Sequence, residues 1–236
     1  LALTLTRQHL PRGRQWARLA VVAGGVVLGF PVLTSFALQT VEAAHAAMVI
    51  GILPAVTAVM AVLRTGERPA RSFWVFAGLG AVATVAFAAL QNGGIGVLRW
   101  EDLLLFAAVI ACAIGYAEGG LLARELGSWQ TVCWALVLAA PVMTALTAIS
   151  IANEPPAASP VEWLAFAYLG IVSMFLGFFA WYRGLAIGPM AQVSQVQLVQ
   201  PALTMVWAAL AVRVRLGQRP KAARMAFSFS RAASRS

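Results

Sequence analysis

Seven uncharged, apolar stretches run almost end to end through this sequence, and they limit its fold more than any other feature. They cover residues 19–41, 43–63, 72–98, 103–117, 126–153, 163–182 and 184–212. A bilayer core about 30 Å thick takes about 20 apolar residues of helix to cross. Six stretches reach that length directly, and the fourth does so if its helix continues past Glu118 to Leu122. Helices are expected near residues 17–38, 43–63, 73–91, 102–122, 130–151, 162–182 and 190–211. Barrel strands would be shorter and would alternate polar with apolar. The expected fold class is therefore an all-α integral membrane protein with about seven transmembrane helices.

Composition supports this. Hydrophobic residues make up 61% of the chain and charged residues 11%, against about 25% charged in soluble domains. A cytosolic enzyme or a nucleic-acid-binding domain is excluded, and the net charge of +9 is a matter of topology. Cys112 and Cys133 lie in apolar runs and suggest neither a disulfide framework nor a metal site. His9 and His45 are too isolated for a zinc or haem site. His45, at the start of the second span, is titratable near neutral pH, although capping or an interfacial position suits it as well. The connections are short: residues 39–42, 64–71 and 151–161, the last with Pro155, Pro156 and Pro160. None could fold as a domain outside the bilayer. Trp16, Trp74, Trp100, Trp129, Trp163 and Trp181 fall near expected helix ends, where indoles suit the interface.

Arginines set the orientation. Alternate connections place Arg7, Arg12, Arg14, Arg18, Arg64, Arg68, Arg71, Arg124 and Arg183 on one face and Arg99 on the other. This bias predicts a cytoplasmic N-terminal segment. The tail after Val212 breaks the pattern: residues 213–236 carry seven positive charges and no acid, and seven spans would put them outside.

Two segments repeat at an offset of 147 residues. Pro54-Ala-Val-Thr-Ala-Val-Met-Ala-Val-Leu63 and Pro201-Ala-Leu-Thr-Met-Val-Trp-Ala-Ala-Leu210 share six of ten positions, Pro54/Pro201 and Thr57/Thr204 among them. Gly66-Glu67-Arg68-Pro69 is echoed by Gly217-Gln218-Arg219-Pro220. The two copies lie on the second and seventh expected spans. That odd separation turns one copy upside down in the membrane, the arrangement of inverted-repeat secondary transporters.

In these motifs the chain resembles the EamA-type permeases of the drug/metabolite transporter superfamily. The resemblance rests on residues 43–54, the span through Leu63, Gly66-Glu67-Arg68-Pro69, Tyr182-Arg-Gly-Leu-Ala-Ile-Gly-Pro189, and Pro201 with its helix. It covers about residues 12–220. It implies ten helices in two inverted five-helix halves. On that pattern the seven spans correspond to the third to ninth, so that the sequence is truncated at both ends. Residues 1–98 would be the first half, 99–220 the second, and 221–236 a basic tail foreign to the pattern. Gln218 departs from the acid usual at its position. The resemblance further implies a carrier in the bacterial inner membrane for small polar metabolites such as amino acids, often an exporter.

Several side chains could carry such work. Glu118 is an acid within a span, expensive unless it faces the bundle or water. A substrate or proton-coupling site, a position at the cytoplasmic end and structural pairing all remain open for it. Ala107, Ala111, Gly115 and Gly119 form a small-residue strip beside it that invites close helix approach, as do Gly25 and Gly29. Gln192, Gln195 and Gln200, with Gln197, crowd the approach to Pro201. They could line a solute cavity or tie helices together. Pro54 and Pro201 are repeat-related hinge candidates, and Gly66-Glu67 makes a turn suited to holding a helix start. No phosphate loop or nucleophile set is present, so neither an enzyme nor a cofactor is expected. The expected partners are a small-molecule substrate and the lipid bilayer, with a homo-oligomer open and no nucleic acid. A non-transporting assembly or signalling protein is the alternative to a transporter working by alternating access.

Overall fold

A computed structural model describes residues 3, 8, 10–91, 100–200 and 203. Every regular element among them is helical. In chain order they are α1 (Arg14–Ala37), α2 (Ala43–Ile50), α3 (Leu53–Thr65), α4 (Arg71–Gln91), α5 (Trp100–Leu126), α6 (Ser128–Asn153), α7 (Pro160–Ile187) and α8 (Met190–Ser194). A 3₁₀ turn, Gln195–Val199, follows α8. Residues Leu1–Val196 form one compact unit, and Gln197–Ser236 fall in a second.

Five spans, not seven, are long and apolar enough to cross a membrane among the described residues: α1, residues His45–Thr65 of α2 and α3, α5, α6 and α7. The expected third span coincides with α4, whose apolar stretch Arg71–Ala86 is shorter. The expected seventh fails as a continuous helix. It leaves α-helical geometry at Gln195, and beyond Gln200 it lies outside the described residues apart from Leu203. The repeat copy at 201–210 and the tail lie outside them too.

The core forms around α5. Its C-terminal half buries Tyr116, Ala117, Glu118, Gly119, Gly120 and Leu122. Its ends carry the charges a helix dipole favours, Glu101 and Asp102 in the first turn and Arg124 in the last. The small-residue strip explains the burial. Gly25 of α1 rests on the Ala111 carbonyl and on Gly115, so that a Cβ there would strike backbone. Gly119 lies beneath the Tyr182 ring of α7. Without a hydrophobic drive between helices in lipid, such close approach is what holds them together.

Prolines and glycines set the breaks. A π-helical stretch, Ala23–Gly29, ends two residues before Pro31 in α1. Residues Gly51 and Ile52 separate α2 from α3, which starts with Leu53 and Pro54. The proline has no N–H to give the carbonyl one turn back. Gly51 also lets α4 come close, because a Cβ would meet Thr84. Gly127, at φ 96°, turns α5 directly into α6. Ser159 and Glu162 cap the start of α7 reciprocally around Pro160. Beyond its cap α7 presents apolar side chains outward, Leu164, Phe166 and Ile171 among them, as a lipid-facing helix should.

Candidate functional site

Glu118 is 2% exposed and held from two helices. Arg18 of α1 donates its Nε to Oε1. Arg64, at the end of α3, donates Nε to Oε2 at 2.9 Å and Nη2 to the same oxygen at 2.5 Å. Arg18 also donates Nη1 to Glu125 at 2.5 Å, and Gln15 donates to Glu125 at 3.1 Å. One acid thus ties the start of α1 and the end of α3 to the last turns of α5. The arginine bias by itself assigns Arg18 and Arg64 only to a membrane face. Their pairing with Glu118 could be found in the sequence only by noticing that all three fall at the same face.

Glu67 does not hold the helix that follows it. Thr65 donates its hydroxyl to the Ala61 carbonyl, and Gly66 takes φ 71°, which ends α3 and turns the chain. The Glu67 carboxylate is then carried to the start of α8, where it accepts N–H bonds from Met190 at 2.8 Å and Ala191 at 3.0 Å. Arg124 stands 4.0 Å from Glu67 and donates to the Leu185 and Gly188 carbonyls at 3.3 and 3.4 Å. A loop after α3 therefore clamps a helix start more than 120 residues away.

Above that clamp two broken spans meet. Gln195, where α8 gives way to the 3₁₀ turn, donates Nε2 to the Pro54 carbonyl at 3.0 Å and to Ser194 Oγ at 3.2 Å. Ser194 donates to the Ala191 carbonyl at 2.7 Å. Thr57, one turn beyond Pro54, is fully buried, and its hydroxyl lacks a partner, as does Gln195 Oε1. Leaving buried polar atoms unpaired is costly. At a seam between irregular helices, such atoms are suited to a polar solute.

The structure thus separates residues that the sequence groups together. Gln192 shares the expected helical face with Gln195 but is exposed, while Gln195 turns to α3. Gln200 belongs to the second unit and is exposed. Pro54 lies at the seam, and Pro201 lies outside the described residues. Gly66 and Glu67 serve the clamp. Ser194, a lone serine before a glutamine, carries no sequence signal. A separate groove of about 600 Å3 beside α6 is lined by Val27, Leu136, Ala139, Met143 and Ile151, with the Thr144 and Thr147 side chains. It is too apolar to take a polar solute.

The model of the EamA-like transporter family matches residues 1–89 and 99–220. A Bacillus subtilis (strain 168) protein described as "uncharacterized transporter YdeK" is 44% identical over 215 residues, 91% of this chain and 74% of the relative. A solved crystal structure shares the fold, with a TM-score of 0.68 at 23% identity over 89% of this chain and 74% of its own. This chain belongs to the EamA-like transporter family of the drug/metabolite transporter superfamily, multi-pass membrane proteins that move small molecules and are not enzymes.

Proposed function

We propose that this protein is a secondary transporter that exports small polar metabolites such as amino acids by alternating access, with its solute site at the seam of α3 and α8. One observation carries the reading. Two interrupted spans meet at Pro54 and Gln195, and the Thr57 hydroxyl and Gln195 Oε1 lie buried there without partners. Gln195 Oε1 is an acceptor, and the threonine hydroxyl can accept as well as donate. Together they suit the ammonium group of an amino-acid-like solute. Gln192 is assigned to its path rather than to its binding, and Glu118 to holding the helices that move. Two inverted halves, 1–98 and 99–220, would rock about this point. The two matched segments and the repeat around Pro54 and Pro201 support that division. The arginine bias supports a cytoplasmic N-terminal segment.

The test is counterflow of a panel of radiolabelled amino acids in proteoliposomes. Thr57→Val and Gln195→Leu should each lower uptake of the transported solute about 10-fold or more, the size expected when a buried hydrogen bond to a solute is lost. The amount of protein incorporated should not change. Full flux in both variants would remove the seam as the binding site.

A further inference from the structure

Helix α8 has five residues, and its two ends are held by side chains. At its start the Met190 and Ala191 N–H groups donate to Glu67, at 2.8 and 3.0 Å. At its finish the Ser194 hydroxyl donates to the Ala191 carbonyl at 2.7 Å and accepts from Gln195 Nε2 at 3.2 Å. The same Nε2 reaches the Pro54 carbonyl at 3.0 Å. Hydrogen bonds therefore run without a break from the seam through Ser194 and Ala191 to Glu67. A helix this short has little stability of its own, and helix formation is cooperative. What loosens its last turn loosens its first. Met190, Ala191 and Ser194 are all 0% exposed, so this face of α8 is sealed between the clamp and the seam.

Other ties at the same end are firmer. Glu118 is buried, and the arginines that hold it stand on regular helices. The span of α2 and α3 is fastened to α5 at its far end too, where His45 Nε2 lies 2.7 Å from Asp102 Oδ1. Glu67 stands instead in the non-helical segment 66–70, behind Gly66 at φ 71°, with its side chain 22% exposed. Across the clamp, Gly188 and Pro189 are extended between α7 and α8. Short irregular segments on both sides can absorb a backbone change that the helices resist. The clamp can part without breaking a span.

We propose that the Glu67 clamp is the gate of the solute path at the Arg64 end, and that Ser194 couples it to the solute site. A solute at the seam takes over the Gln195 amide, whose Nε2 leaves Ser194. The last turn of α8 slackens, and its first turn lets go of Glu67. Ser194 is thus a positioning residue for transport. The gate rests on the transporter reading, but its first test needs no solute, so the two can fail separately.

That test uses the full chain in lipid nanodiscs, with Cys112→Ala and Cys133→Ala. Spin labels at the exposed positions Arg68→Cys and Gln192→Cys report the separation across the clamp by electron spin resonance. The short separation should dominate in the labelled parent. Glu67→Ala should raise the longer population about 5-fold. Ser194→Ala leaves Glu67 and its two N–H partners in place, and should still raise it about 3-fold. A second pair, Arg14→Cys and Leu63→Cys, spans the Glu118 tie and should keep its separation in both variants. In proteoliposomes, Glu67→Cys and Pro189→Cys joined by a short bis-methanethiosulfonate linker hold the clamp shut. Counterflow of the transported amino acid should then fall about 10-fold or more and return on reduction. If the parent carries no amino acid of the panel, the transporter reading fails and the label separations decide the gate. Unchanged separation across the clamp in Ser194→Ala, equal lengthening of both label pairs, or full counterflow in the cross-linked chain would overturn it.

Discussion

Glu118 shows how far a residue can be read before its neighbours are known. An acid inside an apolar span must be paired or wet, and that much is plain from residue order. The two guanidiniums that reach it come from Arg18 and Arg64, 100 and 54 residues away. The carboxylate is buried while both arginines are partly exposed, so loss of the pair is softened by water and headgroups. Glu118→Gln should cost about 1–3 kcal/mol, below the 3–5 expected for breaking a fully buried pair. Thermal unfolding in detergent measures this. Combining Glu118→Gln with Arg64→Gln should cost less than the sum of the two. Strict additivity would mean that the contact contributes nothing. Thr57 shows the opposite case. The repeat marks it in the sequence, but that its hydroxyl is buried beside Gln195 without a partner depends on how α3 and α8 cross.

Among elements, the informative ones are those that stop being helices. Proline explains the break before α3 from the sequence alone. The residues of the 3₁₀ turn do not themselves announce it, since glutamine and valine sit acceptably in a helix; the one nearby signal is Pro201, which has no N–H for the Gln197 carbonyl. That turn instead accompanies a side-chain bond from Gln195 to the Pro54 carbonyl. The clamp by Glu67 belongs to the same scale. Its carboxylate accepts two N–H bonds at the start of α8, and charge-assisted caps of this kind contribute about 1–2 kcal/mol. Glu67→Ala should therefore raise hydrogen exchange at the amides of residues 190–194 about 5- to 30-fold and leave α6 unchanged. Equal exchange in parent and variant would show that α8 is held by packing alone.

At the scale of the whole molecule, the ties on α5 orient the spans against each other. The start of α1, the end of α3 and the end of α5 share one end through Glu118, while His45 and Asp102 mark the other. Because Gly127 turns α5 directly back into α6, residues 154–159 emerge on the face opposite Arg64–Arg71. With the arginine bias, this predicts that Ala157→Cys is labelled by an impermeant maleimide in intact cells and Arg68→Cys only after permeabilisation. The native cysteines are replaced by alanine in both. The reverse pattern would invert the topology.

Residue order by itself determined that the chain lives in a bilayer, where most of its helices begin and end, and which family it resembles. Those features follow from local physics: twenty apolar residues must be helical in lipid, and charges must collect at the ends. Among the described residues it overcounts the spans by two: the apolar stretch of α4, Arg71–Ala86, is short, and hydropathy counts the residues before Pro201 as helix, whereas α8 ends at Ser194 in a 3₁₀ turn. Only the tertiary structure decided which charge meets which. Arg64 with Glu118, His45 with Asp102 and Glu67 with the start of α8 join positions from 54 to 124 residues apart. Helix periodicity governs neighbours three or four residues away. Pairings at such distance are set by which helices lie side by side, and here that follows from the close approach of Gly25, Gly115 and Gly119 to their neighbours.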